Sequence, residues 1–238
     1  MDTSLFGEMI SLFLVMSCIS GICSWSIYCP RKERAKRNKR RILCIGDSIT
    51  FGSGVTFFRR SKSFPAALER LLGKEFQVLN YGIPGATMSL KSDKPYSESF
   101  FQDARNTNPE ICLLMLGTND SKPHNWNAYL YEKSLKECIK EVLQFPSKPQ
   151  LYLMLPPAAF SVGGKPIVYE IRDEVIRAEV CPIVKAQAQK YNIGIIDLYS
   201  VMENHPEYFV DGVHPNEQGN QCIAEMVFKE LKKDIGIF

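Results

Sequence analysis

The sequence predicts an α/β fold class: a three-layer α/β/α sandwich around a central parallel five-stranded sheet. Two observations carry this expectation. Short apolar runs alternate with helical patterns along residues 42–238, which is the arrangement of a parallel sheet covered on both faces. The first three runs also stop at glycine or small polar residues, as loops at the carboxyl ends of strands do.

Ile42, Leu43, Cys44 and Ile45 form the first run, ended by Gly46, Asp47 and Ser48. Residues 63–73, SFPAALERLLG, place Ser before an apolar helical pattern, Pro near its start and Gly at its end, which predicts a capped helix. FQVLNYGIPGAT gives a second strand ending in Gly82 and Gly85, and PEICLLMLGTND gives a third, ending in Asn119 and Asp120. Residues 129–143 put Leu130, Leu135, Cys138, Ile139, Val142 and Leu143 near one helical face. PQLYLMLPP reads as a fourth strand, EIRDEVIRAEVCPIVKAQAQKY as a long helix holding a proline able to kink it, and IGIIDL as a fifth strand. NEQGNQCIAEMVFKELKKD closes the chain as an amphipathic helix. Residues 86–108 and 156–170, rich in polar residues, Gly or Pro, follow strand ends and are expected to form the rim of any site there.

The length suits one domain, residues 42–238, preceded by a hydrophobic segment (1–30) and a basic linker (31–41). The linker RKERAKRNKRR holds eight Lys or Arg and one Glu, and the rest of the chain is net acidic. Nothing marks the globular part as a nucleic-acid binder. Residues 9–28 carry no charge over twenty positions, enough for a helix to span a bilayer. A single-pass membrane anchor is the preferred reading, ahead of a cleaved signal peptide, which would leave the domain secreted or extracytoplasmic, and of a buried core helix. With acid before and base after the segment, the positive-inside rule puts the domain on the cytoplasmic side. Of the eight cysteines, Cys18, Cys23 and Cys29 lie where a membrane-edge thiol can be palmitoylated. Most of the others are expected to be reduced core residues.

A serine after a strand is either a nucleophile or the N-cap of the next helix. Ser48 as nucleophile needs a base, which His214 can supply, and Asp211, three residues before it, can fix the imidazole. An ester carbonyl under attack also needs donors for its developing negative charge. The N–H groups of Ser48 and Gly85 and the amide of Asn119 are candidates, with Asp47 and Asp120 as supporting groups. Each has a duller reading: Gly82 and Gly85 as turn residues, Asn119 as a loop cap, His214 as the start of a helix. His124 and His205 read as exposed loop histidines. Trp126 and Tyr129 either line a pocket or pack.

GDSIT at 46–50, NYGIPGAT at 80–87, GTND at 117–120 and DGVHPN at 211–216 resemble, in order and spacing, the four sequence blocks of the SGNH hydrolases, also called GDSL esterases and lipases. The resemblance implies a flavodoxin-like fold. It also implies Ser48 as nucleophile, Gly85 and Asn119 as oxyanion donors, His214 as base and Asp211 as its partner. The stretches YLMLPPAAF, GIIDLYSVM and DGVHPNEQGNQCIAEMVFKEL are similar to carbohydrate O-acetylesterases, sialate and xylan ones among them. The expected activity is therefore hydrolysis of short-chain acyl (acetyl) esters of a carbohydrate or small alcohol through an acyl-serine, with no metal and no cofactor. A lysophospholipase or thioesterase on the same triad is the nearest alternative. A metal-dependent hydrolase using Asp47, Asp120, Asp211 and His214, and a non-catalytic membrane-tethered binding protein, are more remote. The oligomeric state is left open.

Overall fold

The computed structural model describes residues 35–235 other than 37 and 97, with side chains for all of these except 98–100, 234 and 235. The chain divides between residues 32 and 33, and the described residues belong to the second unit. The apolar segment 9–28, its neighbouring cysteines and the start of the basic run lie outside them. Among the described residues no helix is long and apolar enough to cross a membrane.

Five strands, β1 (Arg40–Gly46), β2 (Phe76–Gly82), β3 (Ile111–Met115), β4 (Gln150–Leu155) and β5 (Gly194–Asp197), form one sheet in the order β2-β1-β3-β4-β5. Every pairing is parallel. β1 begins two residues before the apolar run, because Arg40 and Arg41 pair with Phe76 and Gln77 of β2. The Arg40 guanidinium lies 4.6 Å from the centre of the Phe76 ring and donates to Glu110, while Arg41 Nε donates to Asn108 O. The end of the basic run is thus bound into the fold.

Side chains of a strand alternate between faces, and here the alternation builds two cores. Leu43 and Ile45, Cys112 and Leu114, and Leu151, Leu153 and Leu155 enter one core. Ile42 and Cys44, Leu113 and Met115, and Tyr152 and Met154 enter the other. Seven helices are named here: α1 (Ser48–Phe51), α2 (Phe64–Leu72), α3 (Glu98–Asn106), α4 (Ala128–Leu143), α5 (Cys181–Tyr191), α6 (Leu198–Met202) and α7 (Glu217–Ile235). Residues of α4 and α5 close the first core, and residues of α2, α6 and α7 the second. The three-layer sandwich follows. The described cysteines Cys44, Cys112, Cys138, Cys181 and Cys222 are all free, the first four buried.

Local readings needed correction where tertiary contacts overrule them. Ser63 stands at the N-cap of α2 but its side chain caps nothing; the Phe64 N–H donates instead to Asn220 Oδ1 of α7, at 2.8 Å. On α4 the buried face includes Tyr131 and Ser134, whereas Leu143 is exposed. The long helix before β5 is interrupted: a turn at Asp173–Val175 and a π-helical segment, Ile176–Val180, precede α5, with Pro182 in its first turn. Proline has no N–H for the i−4 carbonyl, and a π-bulge is a usual way to absorb such a break. Residues 98–106, read as rim, form α3.

Asn220 is fully buried, and its Nδ2 donates to the carbonyls of Pro215 and Asn216 while its Oδ1 receives Phe64 N. Asn220→Ala leaves these buried groups without partners, at a cost of about 2–4 kcal/mol, to be measured as a lower urea midpoint with an unchanged m-value.

Candidate active site

The strand order reverses at β1: the chain goes out to β2 on one side and returns past β1 to β3 on the other. In open parallel sheets the crevice at such a reversal, at the carboxyl ends of the strands, is where ligands bind. The loops after β1, β2 and β3 carry Ser48, Gly85 and Asn119, and the DGVHPN segment arrives just before α7.

Asp47, not Ser48, is the N-cap of α1: its Oδ1 accepts from Ile49 N at 2.8 Å. Ser48 is therefore not the N-cap of the helix it opens. With Asp47 taking the capping role, the Ser48 hydroxyl is left to face His214, and the two are 3.0 Å apart at Nε2. α1 lies hard against β2, and Gly82 permits it, since a Cβ there would come within 2.1 Å of Phe51 N. Gly82 is therefore a packing residue.

Asp211 uses its two oxygens differently. Oδ1 accepts the backbone N–H groups of Val213 and His214, at 3.0 and 2.8 Å, and so closes the turn. Oδ2 lies 2.7 Å from His214 Nδ1. An ionised carboxylate only accepts, so Nδ1 carries the proton, and in the neutral ring Nε2 is left as an acceptor for the Ser48 hydroxyl. Burial would raise the Asp211 carboxyl, but the His214 ring and the two backbone N–H groups outweigh it and hold it at about 2. His214 does not start the helix; Asn216 does, its Oδ1 accepting from Gly219 N at 3.0 Å.

Gly85 sits at φ +81°, in the left-handed region, where glycine is the unstrained choice. Asn119 is buried and donates through Nδ2 to Ala86 O at 3.1 Å; the amide carries a second hydrogen. Asp120, fully buried, accepts from the N–H groups of Met88 and Ser89, at 2.9 and 2.8 Å. It thereby ties the loop after β2 to the loop after β3. Burial pushes Asp120 up to about 7, against the pull of those two N–H groups. Burial likewise pushes Asp47 up to about 6, with Ile49 N–H and the nearby His214 pulling the other way.

The rim holds residues the sequence did not single out. Asn125 is buried and donates to Asp93 Oδ1 and to Asn119 O. His124, half-exposed as expected, stands between Asp93 and Glu170, at 3.4 and 3.8 Å, and so links two rim segments. Arg172 Nε donates to Ser121 O at 2.6 Å. Tyr169 meets His214 edge to face, ring centres 5.4 Å apart, and is 59% exposed. Tyr169 and Glu170 both have positive φ, 60° and 57°, unusual for non-glycine residues. Nothing in the local sequence signals that conformation. Trp126 packs on Tyr131 and donates to Glu179, and Tyr129 is exposed. His205 stacks on Tyr208 and pairs with Glu207. Among the described residues there is no group of three or more His, Cys, Asp or Glu able to hold a metal ion.

Comparison with known proteins agrees with this architecture. An acetylxylan esterase of Xylanibacter ruminicola is 36% identical over 217 residues, which is 83% of this chain and 44% of that protein. The chain thus spans less than half of that curated relative. Among solved structures, an aryl esterase of M. smegmatis superposes with a TM-score of 0.67 at 21% identity, covering 82% of this chain and 99% of the other. A carbohydrate acetylesterase family member from Sinorhizobium meliloti gives 0.65 at 20% identity, covering 83% and 100%. These two likenesses speak for the fold alone. Residues 44–222 match the GDSL-like lipase/acylhydrolase family, and the chain belongs to that family.

Proposed function

We propose that the chain is a serine carboxylic-ester hydrolase acting on short acyl esters, acetyl esters of a carbohydrate or small alcohol above all, through an acyl-serine intermediate. The observation that carries the reading is the unbroken run of hydrogen bonds from Asp211 through His214 to Ser48, 2.7 and 3.0 Å long. As Ser48 Oγ attacks the ester carbonyl, His214 Nε2 takes its proton, and the ionised Asp211 stabilises the imidazolium. The carbonyl oxygen becomes an oxyanion, received by the N–H groups of Ser48 and Gly85 and by the Asn119 amide. His214 then gives its proton to the departing alcohol, and a water activated by the same ring releases the acid.

The 36% identity to an acetylxylan esterase supports acetyl as the acyl group and a sugar as the alcohol. An exposed aromatic edge at Tyr169 beside His214 suits the side from which an alcohol leaves, since sugar C–H faces pack well on aromatic rings. Residues 42–238 hold no long apolar insertion to form a lipid lid, which argues against the lysophospholipase alternative. Residues 9–28 are proposed to anchor the domain to a membrane, with the domain on the cytoplasmic side.

Turnover of p-nitrophenyl acetate, butyrate and octanoate is expected to fall with chain length. Ser48→Ala should lower kcat on the acetate by about 10⁴-fold or more. Preference for octanoate would favour the lipid-ester alternative, and undiminished turnover by Ser48→Ala would remove the serine mechanism.

The site's carboxylates act on stability in opposite pH windows. Asp211, held at about 2, contributes stability that is present above the ordinary carboxylate value near 4 and is lost as pH falls towards 2. Asp120, raised to about 7, contributes stability that is full below about 4 and is lost as pH rises through 7. The stability of the wild type relative to Asp120→Asn in thermal unfolding should therefore fall as pH rises from about 4 to 7, and relative to Asp211→Asn rise as pH rises from about 2 to 4.

A further inference from the structure

A groove of about 800 Å³ runs along the free edge of β2, away from Ser48. Its lining brings together six cations: Lys36, Lys39, Arg59, Arg60, Arg70 and Lys74. They come from three stretches of chain: the basic run before β1, the segment between α1 and α2, and the end of α2 with the turn after it. Glu69 is the one acid in the lining, and its Oε2 is occupied by the N–H of Val78 at 2.8 Å. Among the described residues, Lys36, Lys39, Arg60, Arg70 and Lys74 have no carboxylate within ion-pair distance. Lys39 and Arg70 donate instead to the backbone carbonyls of Lys74 and Ser61. These bonds hold the cationic groups near one another rather than neutralising them.

A cation or two on an edge strand keeps other strands from pairing with it. That purpose does not need six. The Lys36 N–H already donates to the Gln77 side chain, at 2.8 Å, so the basic run itself lies over part of the edge. Gathering like charges opposes folding unless an anion relieves the repulsion.

We propose that this groove is a docking surface for the anionic phospholipid headgroups of a bilayer. Two facts select that occupant. The charge is complementary and spread over a groove, as a polybasic lipid-binding surface requires. The charge-free stretch 9–28 ends eight residues before Lys36, a distance of at most about 28 Å of extended chain, so a domain tethered by that stretch has its groove within reach of the headgroups. The proposal rests on the membrane-anchor reading of residues 9–28 and is independent of ester hydrolysis.

The full chain is mixed with vesicles of phosphatidylcholine, or of phosphatidylcholine with phosphatidylserine. Flotation then reads attachment, and amine acylation followed by mass spectrometry reads each lysine. Labelling of Lys36 and Lys74 should slow about fivefold or more with the anionic vesicles only, while the exposed Lys140 on α4 is unchanged. The protection should disappear at about 1 M salt, where the Debye length is about 3 Å, and in the Arg60→Glu, Arg70→Glu double variant. Flotation on both vesicles with equal labelling would sink the groove and leave the anchor standing. Flotation on neither would remove the anchor and the proposal together. Protection by inositol hexakisphosphate alone, not reproduced by vesicles, would reassign the groove to a soluble polyanion and overturn the lipid docking.

Discussion

The reversal of strand order at β1 is the constraint on which the rest of the structure hangs. Because β2 and β3 flank β1 on opposite sides, the chain leaves the carboxyl end of β1 with no strand-connecting helix packed directly over that point. The four-residue helix α1 occupies the opening, and its first residue is Ser48. Its placement demands close backbone approach at Gly82 and a cap that is not Ser48 itself. Asp47 supplies the cap from a position 1% exposed. Exchanging the roles of these two neighbours would leave a hydroxyl bonded to the backbone and a carboxylate facing His214.

Carboxylates recur around the crevice, and each does a different mechanical task. Asp47 fixes the start of α1, Asp120 ties the loops after β2 and β3, and Asp211 closes its own turn while orienting His214. Desolvation penalises all three. Only Asp211, partly exposed and accepting from Val213 N, His214 N and the His214 ring, stays well below the ordinary carboxylate range. Asp120 braces two loops through backbone N–H groups, a task that tolerates a raised value. The gradient from about 2 at Asp211 to about 7 at Asp120 thus follows both the depth and the partners of each group, since Asp120 is fully buried and Asp211 only partly so.

Ser48 and Asn119 were legible in the sequence because each follows a continuous apolar run, the mark of a strand buried on both faces. Asp211 and His214, which follow α6 rather than a strand, were read from their spacing of three residues. What could not be read is set by contacts between distant segments. Phe64 N is capped by Asn220, 156 positions away, while the local sequence offers Ser63. The left-handed backbone at Tyr169 and Glu170 belongs to a rim segment joined to its neighbours by the His124–Glu170 pair and the bond from Arg172 to Ser121. The cationic groove combines residues 36–39 with residues 59–74, which a linear reading treats as a linker and an ordinary helix. The same reading assigned Arg40 and Arg41 to that linker, although both pair within the sheet.

In the proposed mechanism Ser48 is made nucleophilic by His214. The most direct test is reaction of the full chain with a fluorophosphonate, followed by mapping of the adduct and measurement of its rate in wild type and His214→Ala. One adduct is expected, on Ser48, formed about 100-fold or more slowly in the variant. An adduct on another residue, or a rate on Ser48 that His214→Ala leaves unchanged, would contradict the mechanism.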